Sequence, residues 1–481
     1  MHGVSPNTMK LFSTCLALLT VASGLQAAQY DISLKTYNVA DAPQGIASGD
    51  LDGDGYPDLV VTATNPERLE WWLNDAAGEY ALGGSLLLPA GSDPRRVALT
   101  DLDGDGQLDA AVLLMGTGQM QIATGMAGGS FVLGANVATG NGPIDIAAAD
   151  ADGDQDNDLL VSNHDDDTVT LFFNDGAGNL NGLTLAAGDG PHGVAFGDFD
   201  GNGSLDFAAA NELDMTISVF ENLGQGLFGA WSTIQGSSHF FQLTSADLDN
   251  DQDDDLAAAT TDNNQVAGAA VFLSDGLGGW SGQANMLAPI KGNWSIAHGD
   301  FDCDGDMDLS LGFTGSSNGG FVILENDGSG DFPVPQRLGW GNDVFDMTVG
   351  DFDNDGAPDL AYAAAATNKM FVALNKTCGI ELDQEGTCDG WVDFTITGLT
   401  PNGPVIVMIG HDRGKFVVPQ GKPCAGLTVA LDGATLRVAG RANADANGNI
   451  LATYWAGPSC CGQIMQIIDL TTCKVSNPDV L

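Results

Sequence analysis

Apolar positions along this chain come in short runs, with no long helical stripe. Leu59-Val60-Val61-Thr62, Leu159-Leu160-Val161-Ser162 and Leu360-Ala361-Tyr362 are each bounded by glycine or proline. They are too short for helices and read as buried strands. A run such as Gly142-Pro143-Ile144-Asp145-Ile146-Ala147 precedes each of them, and a third strand such as Thr168-Val169-Thr170-Leu171-Phe172-Phe173 follows. Turns of the type Asn174-Asp175-Gly176 or Asn326-Asp327-Gly328 then lead into a fourth strand. The set of four recurs about every fifty residues, which predicts an all-β repeat whose units bury their apolar faces only against one another. Four short strands per unit is a propeller blade. Seven units predict a seven-bladed β-propeller over residues 29–376.

Ring closure is also written in the pattern. An aromatic opens the fourth strand roughly twenty residues before the next unit's acidic loop: Tyr80, Phe131, Phe228, Trp280 and Phe332, with Leu180 as the substitution. After the seventh loop the chain supplies only three strands, whereas Tyr30-Asp31-Ile32-Ser33-Leu34-Lys35 precedes the first unit with no blade of its own. The N-terminal strand is therefore expected to complete the last blade and remove an open sheet edge.

Between the first and second strand of every unit lies a nonapeptide of the form D-x-D-x-[DN]-x-x-x-D. The side chains at its positions one, three, five and nine are Asp50, Asp52, Asp54 and Asp58 in the first copy and Asp101, Asp103, Asp105 and Asp109 in the second. The third and fourth carry Asp150, Asp152, Asp154 and Asp158, then Asp198, Asp200, Asn202 and Asp206. Asp247, Asp249, Asp251 and Asp255 follow, then Asp300, Asp302, Asp304 and Asp308, and last Asp351, Asp353, Asp355 and Asp359. Each like-charge pair at about 4 Å costs on the order of 4 kcal/mol at an effective dielectric of 20, so a cation is expected between them. Hard oxygen donors in a flexible loop suit Ca²⁺, which gives up to seven sites. An EF-hand is excluded, because position twelve is Val61, Val112, Val161, Ala209, Ala258, Leu311 or Tyr362, and none can ligate. Gln155 and Gln252 stand at position six where the other copies have glycine, so loops three and five must make an awkward turn.

The formal charge of −49 argues against nucleic acid or an anionic membrane as partner. Lys10, an apolar run from Leu11 to Ala22 and the small residues up to Ala28 read as a signal peptide over residues 1–28. The chain is thus expected to be secreted or at the cell surface, extracellular or periplasmic, with no integral membrane segment in its mature part. Six cysteines (Cys378, Cys388, Cys424, Cys460, Cys461 and Cys473) cluster beyond Lys376. In an exported chain they read as disulfides. Alternating stretches such as Trp391-Val392-Asp393-Phe394-Thr395-Ile396 make residues 377–481 a small, disulfide-rich β-sandwich-like domain.

The seven loops with the surrounding Gly-Asp-Phe-Asp (Gly197 to Asp200, Gly299 to Asp302, Gly350 to Asp353) resemble FG-GAP/VCBS repeats. These are the calcium-loop propellers of integrin alpha-subunit heads and of many bacterial exported proteins. The phrases Pro423-Cys424-Ala425-Gly426 and Asp469-Leu470-Thr471-Thr472-Cys473 resemble a small C-terminal domain of bacterial exported repeat proteins. The resemblance implies that the loops share one rim of the propeller, which places the other connections on the opposite face. Those connections hold Arg68, Arg95, Arg96, Lys291, Trp294 and Trp340, together with His164, His192, His239 and Phe345. In an acidic chain they are the candidates for a face that binds a glycan or an extracellular protein, aromatics for stacking and Arg for bidentate contacts. No G-x-S-x-G, H-E-x-x-H, P-loop or C-x-x-C occurs, and the histidines are scattered over separate units. A calcium-binding recognition or adhesion protein is the favoured reading over an enzyme. The alternative is a calcium-dependent polysaccharide lyase.

Overall fold

The structure is a computed structural model that describes residues 30, 32–75, 78–261, 266–281, 285–313, 320–332, 335–338 and 344–375, and nine strands between 381 and 480. The expected signal segment, Trp340 and the six tail cysteines lie outside these residues.

Seven antiparallel sheets form a seven-bladed β-propeller; six follow the predicted order of four strands from the axis outward, and in the fifth both Trp280–Ser281 and Asn285–Lys291 pair with the third strand, Val266–Ser274. Blade one comprises Asp41–Gly49, Asp58–Asn65, Glu67–Asn74 and Tyr80–Leu87. Second strands such as Asp58–Asn65 and Asp158–Asn163 are buried along almost their whole length, which explains their unbroken apolar character. Outer strands such as Tyr80–Leu87 alternate between buried or half-buried and exposed positions. The last blade is completed by Ile32–Asn38, which pairs antiparallel with Lys369–Asn375, Ile32 opposite Asn375 and Asn38 opposite Lys369. The N-terminal strand closes the ring as the pattern predicts.

The aromatic that opens each outer strand has a defined partner. Tyr80 packs with Phe352 and Trp280 with Phe199, and the same pairing of positions shares a buried cluster in the other blades: Phe131 and Leu51, Leu180 and Leu102, Phe228 and Ala151, Phe332 and Leu248, Tyr30 and Phe301. In every case the partner is the second residue of the preceding blade's acidic loop. The loops thus serve as gaskets between blades as well as acidic clusters. The gasket is reinforced where a side chain at the end of the third strand donates to that same residue's carbonyl: Asn74 Nδ2 to Phe352 O (2.8 Å), Asn222 Nδ2 to Ala151 O (2.8 Å) and Asn375 Nδ2 to Phe301 O (2.7 Å).

Beyond Lys376 the described strands are all β. Glu381–Gly386, Gly390–Thr397 and Ile450–Ala456 form one sheet, and Arg437–Asn443, Pro404–Gly410, Ile464–Asp469 and Asp479–Val480 another. Arg413–Val417 pairs with Thr428–Leu431. No helix among the described residues is long and apolar enough to cross a membrane.

Candidate functional site

The inner strand of each blade has an acidic loop at its C-terminal end. In the first loop Asp50 Oδ1 accepts the amides of Gly53 (2.8 Å) and Asp54 (3.1 Å), and its Oδ2 accepts that of Gly55 (3.0 Å). This winding requires left-handed backbone at positions four and six. Gly53 and Gly55 have φ of 80° and 92°, and Gln155 and Gln252 are forced to 79° and 80°. Loops three and five therefore take the same path at a conformational cost.

Position nine is fully buried in six copies: Asp58, Asp158, Asp206, Asp255, Asp308 and Asp359. Asp58 Oδ2 accepts the Leu51 amide (2.9 Å) and its Oδ1 the Asn74 amide (2.7 Å), so one carboxylate ties loop, second strand and third strand together. Burial pushes the pKa of Asp58 and Asp158 up to about 6, that of Asp206 and Asp255 to about 7 and that of Asp359 to about 8. Ligand oxygens of Asp50, Asp52 and Asp58 lie within 4.8 Å of one another, as do those of Asp101, Asp103 and Asp109 and of Asp247, Asp249 and Asp251. Acceptor-only hard oxygens converging at carboxylates too buried to ionise readily by themselves fit a divalent cation.

Cys303, at position four of the sixth loop, departs from the expected cysteine pattern. It is disulfide-bonded, with a partner outside the described residues.

The other end of the inner strands holds a cavity of about 290 Å³, lined by Gln44, Arg95, Arg96, Met115, Ile144, His192, Glu212 and Phe345. A β-bulge builds it. Each inner strand slips register near its start, for example between Pro94 and Val97, Pro143 and Ile146, and Pro191 and Val194. One residue at the bulge stands six positions before the loop's first Asp in every unit: Gln44, Arg95, Ile144, His192, Phe241, Trp294 and Phe345. Five of the seven line the cavity. Phe241 stands behind His192 with ring centroids 5.3 Å apart. Gly45 and Gly193, one position later, are required because a Cβ there would lie 2.5 Å from Arg95 O and 2.2 Å from Phe241 O of the next blade.

The sequence candidates separate in space. Arg95 lines the cavity, paired with Asp93 (2.9 Å) and donating to Gln44 Oε1 (3.0 Å). Arg96 is only 8% exposed. Its guanidinium is ion-paired with Asp346, lies 3.9 Å from Asp145 and donates to Phe345 O (2.9 Å), so it locks blades two, three and seven across the axis. Arg68 opens the third strand of blade one, away from the cavity lining, 3.4 Å from Glu70. Lys291 falls in the strand Asn285–Lys291 and Trp294 in Asn293–Gly299.

Histidines that the sequence scatters over separate units are brought together around Glu212, a residue no motif marks. His164 Nε2 lies 3.4 Å from Glu212 Oε2, His239 Nδ1 lies 2.8 Å from Glu212 O, and the His164 and His192 rings are 6.4 Å apart. The bond to Glu212 and the neighbouring Asp165 raise the His164 pKa to about 8 against its partial burial, and Glu212 is correspondingly lowered. Full burial drops His192 to about 3, so it is a neutral imidazole.

The FG-GAP-like repeat family matches residues 50–112, 150–209 and 247–310. No curated protein matches the chain. Among solved structures, BBS1N crystallised with ARL6DN is similar in fold, with a TM-score of 0.50 at 13% identity over 72% of this chain and 96% of that one. A protein from Lactobacillus plantarum has a TM-score of 0.50 at 16% identity over 63% of this chain and 86% of its own.

Proposed function

From the premise that this chain carries FG-GAP-like repeats in a seven-bladed β-propeller, we propose that it is a secreted recognition protein. Its acidic loops hold Ca²⁺, and it meets a glycan or extracellular protein at the axial end opposite those loops. The observation that carries this reading is the cavity to which residues of five blades contribute, with Arg95, Gln44, Glu212 and His192 set beside Phe345, Ile144 and Met115. Convergent polar groups in an apolar concavity are what ligand recognition requires. Calcium enters as the ion whose charge and oxygen preference match the loops. When bound it would neutralise the position-nine carboxylates that join loop to blade. The structural likeness to a propeller crystallised with a protein partner accords with a binding role and carries no more than the fold.

A calcium-assisted lyase would need metal and cation to meet at one substrate carboxylate. Six residue steps along the inner strand from Gln44 to Asp50 separate cavity from loop by roughly 20 Å. That distance favours recognition. The test is a glycan array and an extracellular-protein binding screen with the processed chain, repeated in chelator and with Phe345→Ala. Binding that is lost with Phe345→Ala while the melt in calcium is unchanged supports the reading. Binding indifferent to every cavity substitution, or turnover of a uronate polymer, overturns it.

A further inference from the structure

The cavity's chemistry narrows its ligand further, and the narrowing rests on the axial cavity being the binding site. The two cations that line it, and His164 beside the lining residue Glu212, are all paired. Arg96 is neutralised by Asp346 and Asp145, Arg95 by Asp93, and His164 by Glu212 and Asp165. His192 is buried and contributes no charge. Five carboxylates therefore surround two guanidiniums and one imidazolium, in a chain whose formal charge is −49. An anion entering here would break existing pairs and meet a repulsive field.

What the walls do offer is directional hydrogen bonding without net attraction for charge. Arg95 and Gln44 form a fixed donor and acceptor edge through their 3.0 Å bond. Glu212, whose Oε2 lies 3.4 Å from His164 Nε2, is a further polar lining residue, and Ile144, Met115 and Phe345 supply an apolar wall. The volume of about 290 Å³ sits at the small end for ligand pockets, sufficient for one or two sugar rings and too small for a folded protein segment.

We propose that the axial cavity takes one terminal, uncharged hexose residue of a glycan, its hydroxyls meeting Arg95, Gln44 and Glu212 and its C–H face lying on Phe345 and Ile144. The five of these positions that line the cavity, Gln44, Arg95, Ile144, His192 and Phe345, form the specificity ring. The blade architecture fixes where they project, and only their side chains choose the sugar.

The experiment is calorimetric or saturation-transfer titration of the full processed chain with the methyl glycosides of glucose, galactose and mannose, and with methyl glucuronide. The expected result is that at least one neutral hexoside binds in the millimolar range or tighter, that the glucuronide binds at least about tenfold more weakly, and that Phe345→Ala and Gln44→Ala each weaken the hexoside at least about tenfold. Ile144→Trp, which fills the cavity from its apolar side, should abolish binding while the calcium melt is retained. Equal or tighter binding of the glucuronide overturns the proposal, as does hexoside binding that survives Ile144→Trp, or no hexoside binding at all. If no hexoside binds while a protein or charged glycan is lost with the same substitutions, only the sugar assignment falls. If no ligand of any kind depends on the cavity, the recognition reading falls with it.

Discussion

At the scale of single residues, two positions where ordinary rules are broken make sharp predictions. Gln155 and Gln252 hold left-handed φ of 79° and 80°, which costs a non-glycine residue on the order of 1 kcal/mol. Gln155→Gly and Gln252→Gly should each stabilise the protein by about that amount, read as a rise in melting temperature with and without calcium, and a fall would show the side chains to be making compensating contacts. Arg96 is the opposite case. Removing it leaves Asp145 and Asp346 buried without their cation, and breaking such a pair costs about 3–5 kcal/mol. Arg96→Ala should therefore lower the chemical-denaturation midpoint strongly, whereas Arg95→Ala should leave it nearly unchanged. From sequence the two arginines look equivalent. They differ because Arg95 pairs with half-exposed Asp93, whereas Arg96, which also lines the cavity, is buried against Asp145 and Asp346 of two other blades, a distinction set by the fold, not by residue type.

At the scale of elements, the acidic loop is both a carboxylate cluster and a seal between blades, so its protonation is linked to folding. Five position-nine carboxyls, Asp58, Asp158, Asp206, Asp255 and Asp359, have folded pKa values raised by burial to about 6 to 8, and that of Asp109 is raised as well. The native state keeps protons that the unfolded chain has already released, so without metal the stability falls as pH rises from about 4 toward 8. Melting curves in chelator should show that decline, and calcium should remove it by taking the proton's place. A metal-free melt that is flat or rises over this range would contradict the burial argument. The loops and strands were legible because their information is local: a fixed spacing of Asp followed by an apolar run. The specificity ring has an equally fixed offset, and its residues share no chemistry: Arg95, His192 and Phe345 stand out as a scarce cation, an imidazole and an aromatic in connections away from the loops, whereas nothing in the composition marks Gln44 or Ile144. Glu212 was invisible for a further reason. It sits in a connection after a second strand, where only three-dimensional closure brings it to His164 and His239.

At the scale of the whole molecule, stability is a property of the closed ring. Each calcium site filled to a hundredfold its dissociation constant would add about 2.7 kcal/mol, so the propeller should melt at markedly lower temperature in chelator than in millimolar calcium. Superimposable curves would remove calcium from the account. Deleting Ile32–Asn38 exposes the edge of Lys369–Asn375 and removes Tyr30's neighbour strand, and the expected outcome is aggregation or a broad, non-cooperative melt. A soluble variant with a sharp transition would show that the ring closes by other means. The same pairing has a consequence in time. Ile32 is translated long before Asn375, so this strand must wait unpaired until nearly the entire propeller has followed it. Contacts so distant in sequence make folding slow. A ribosome that stalls anywhere before the seventh blade releases a chain that cannot seal, and completion of synthesis becomes the condition for a finished fold.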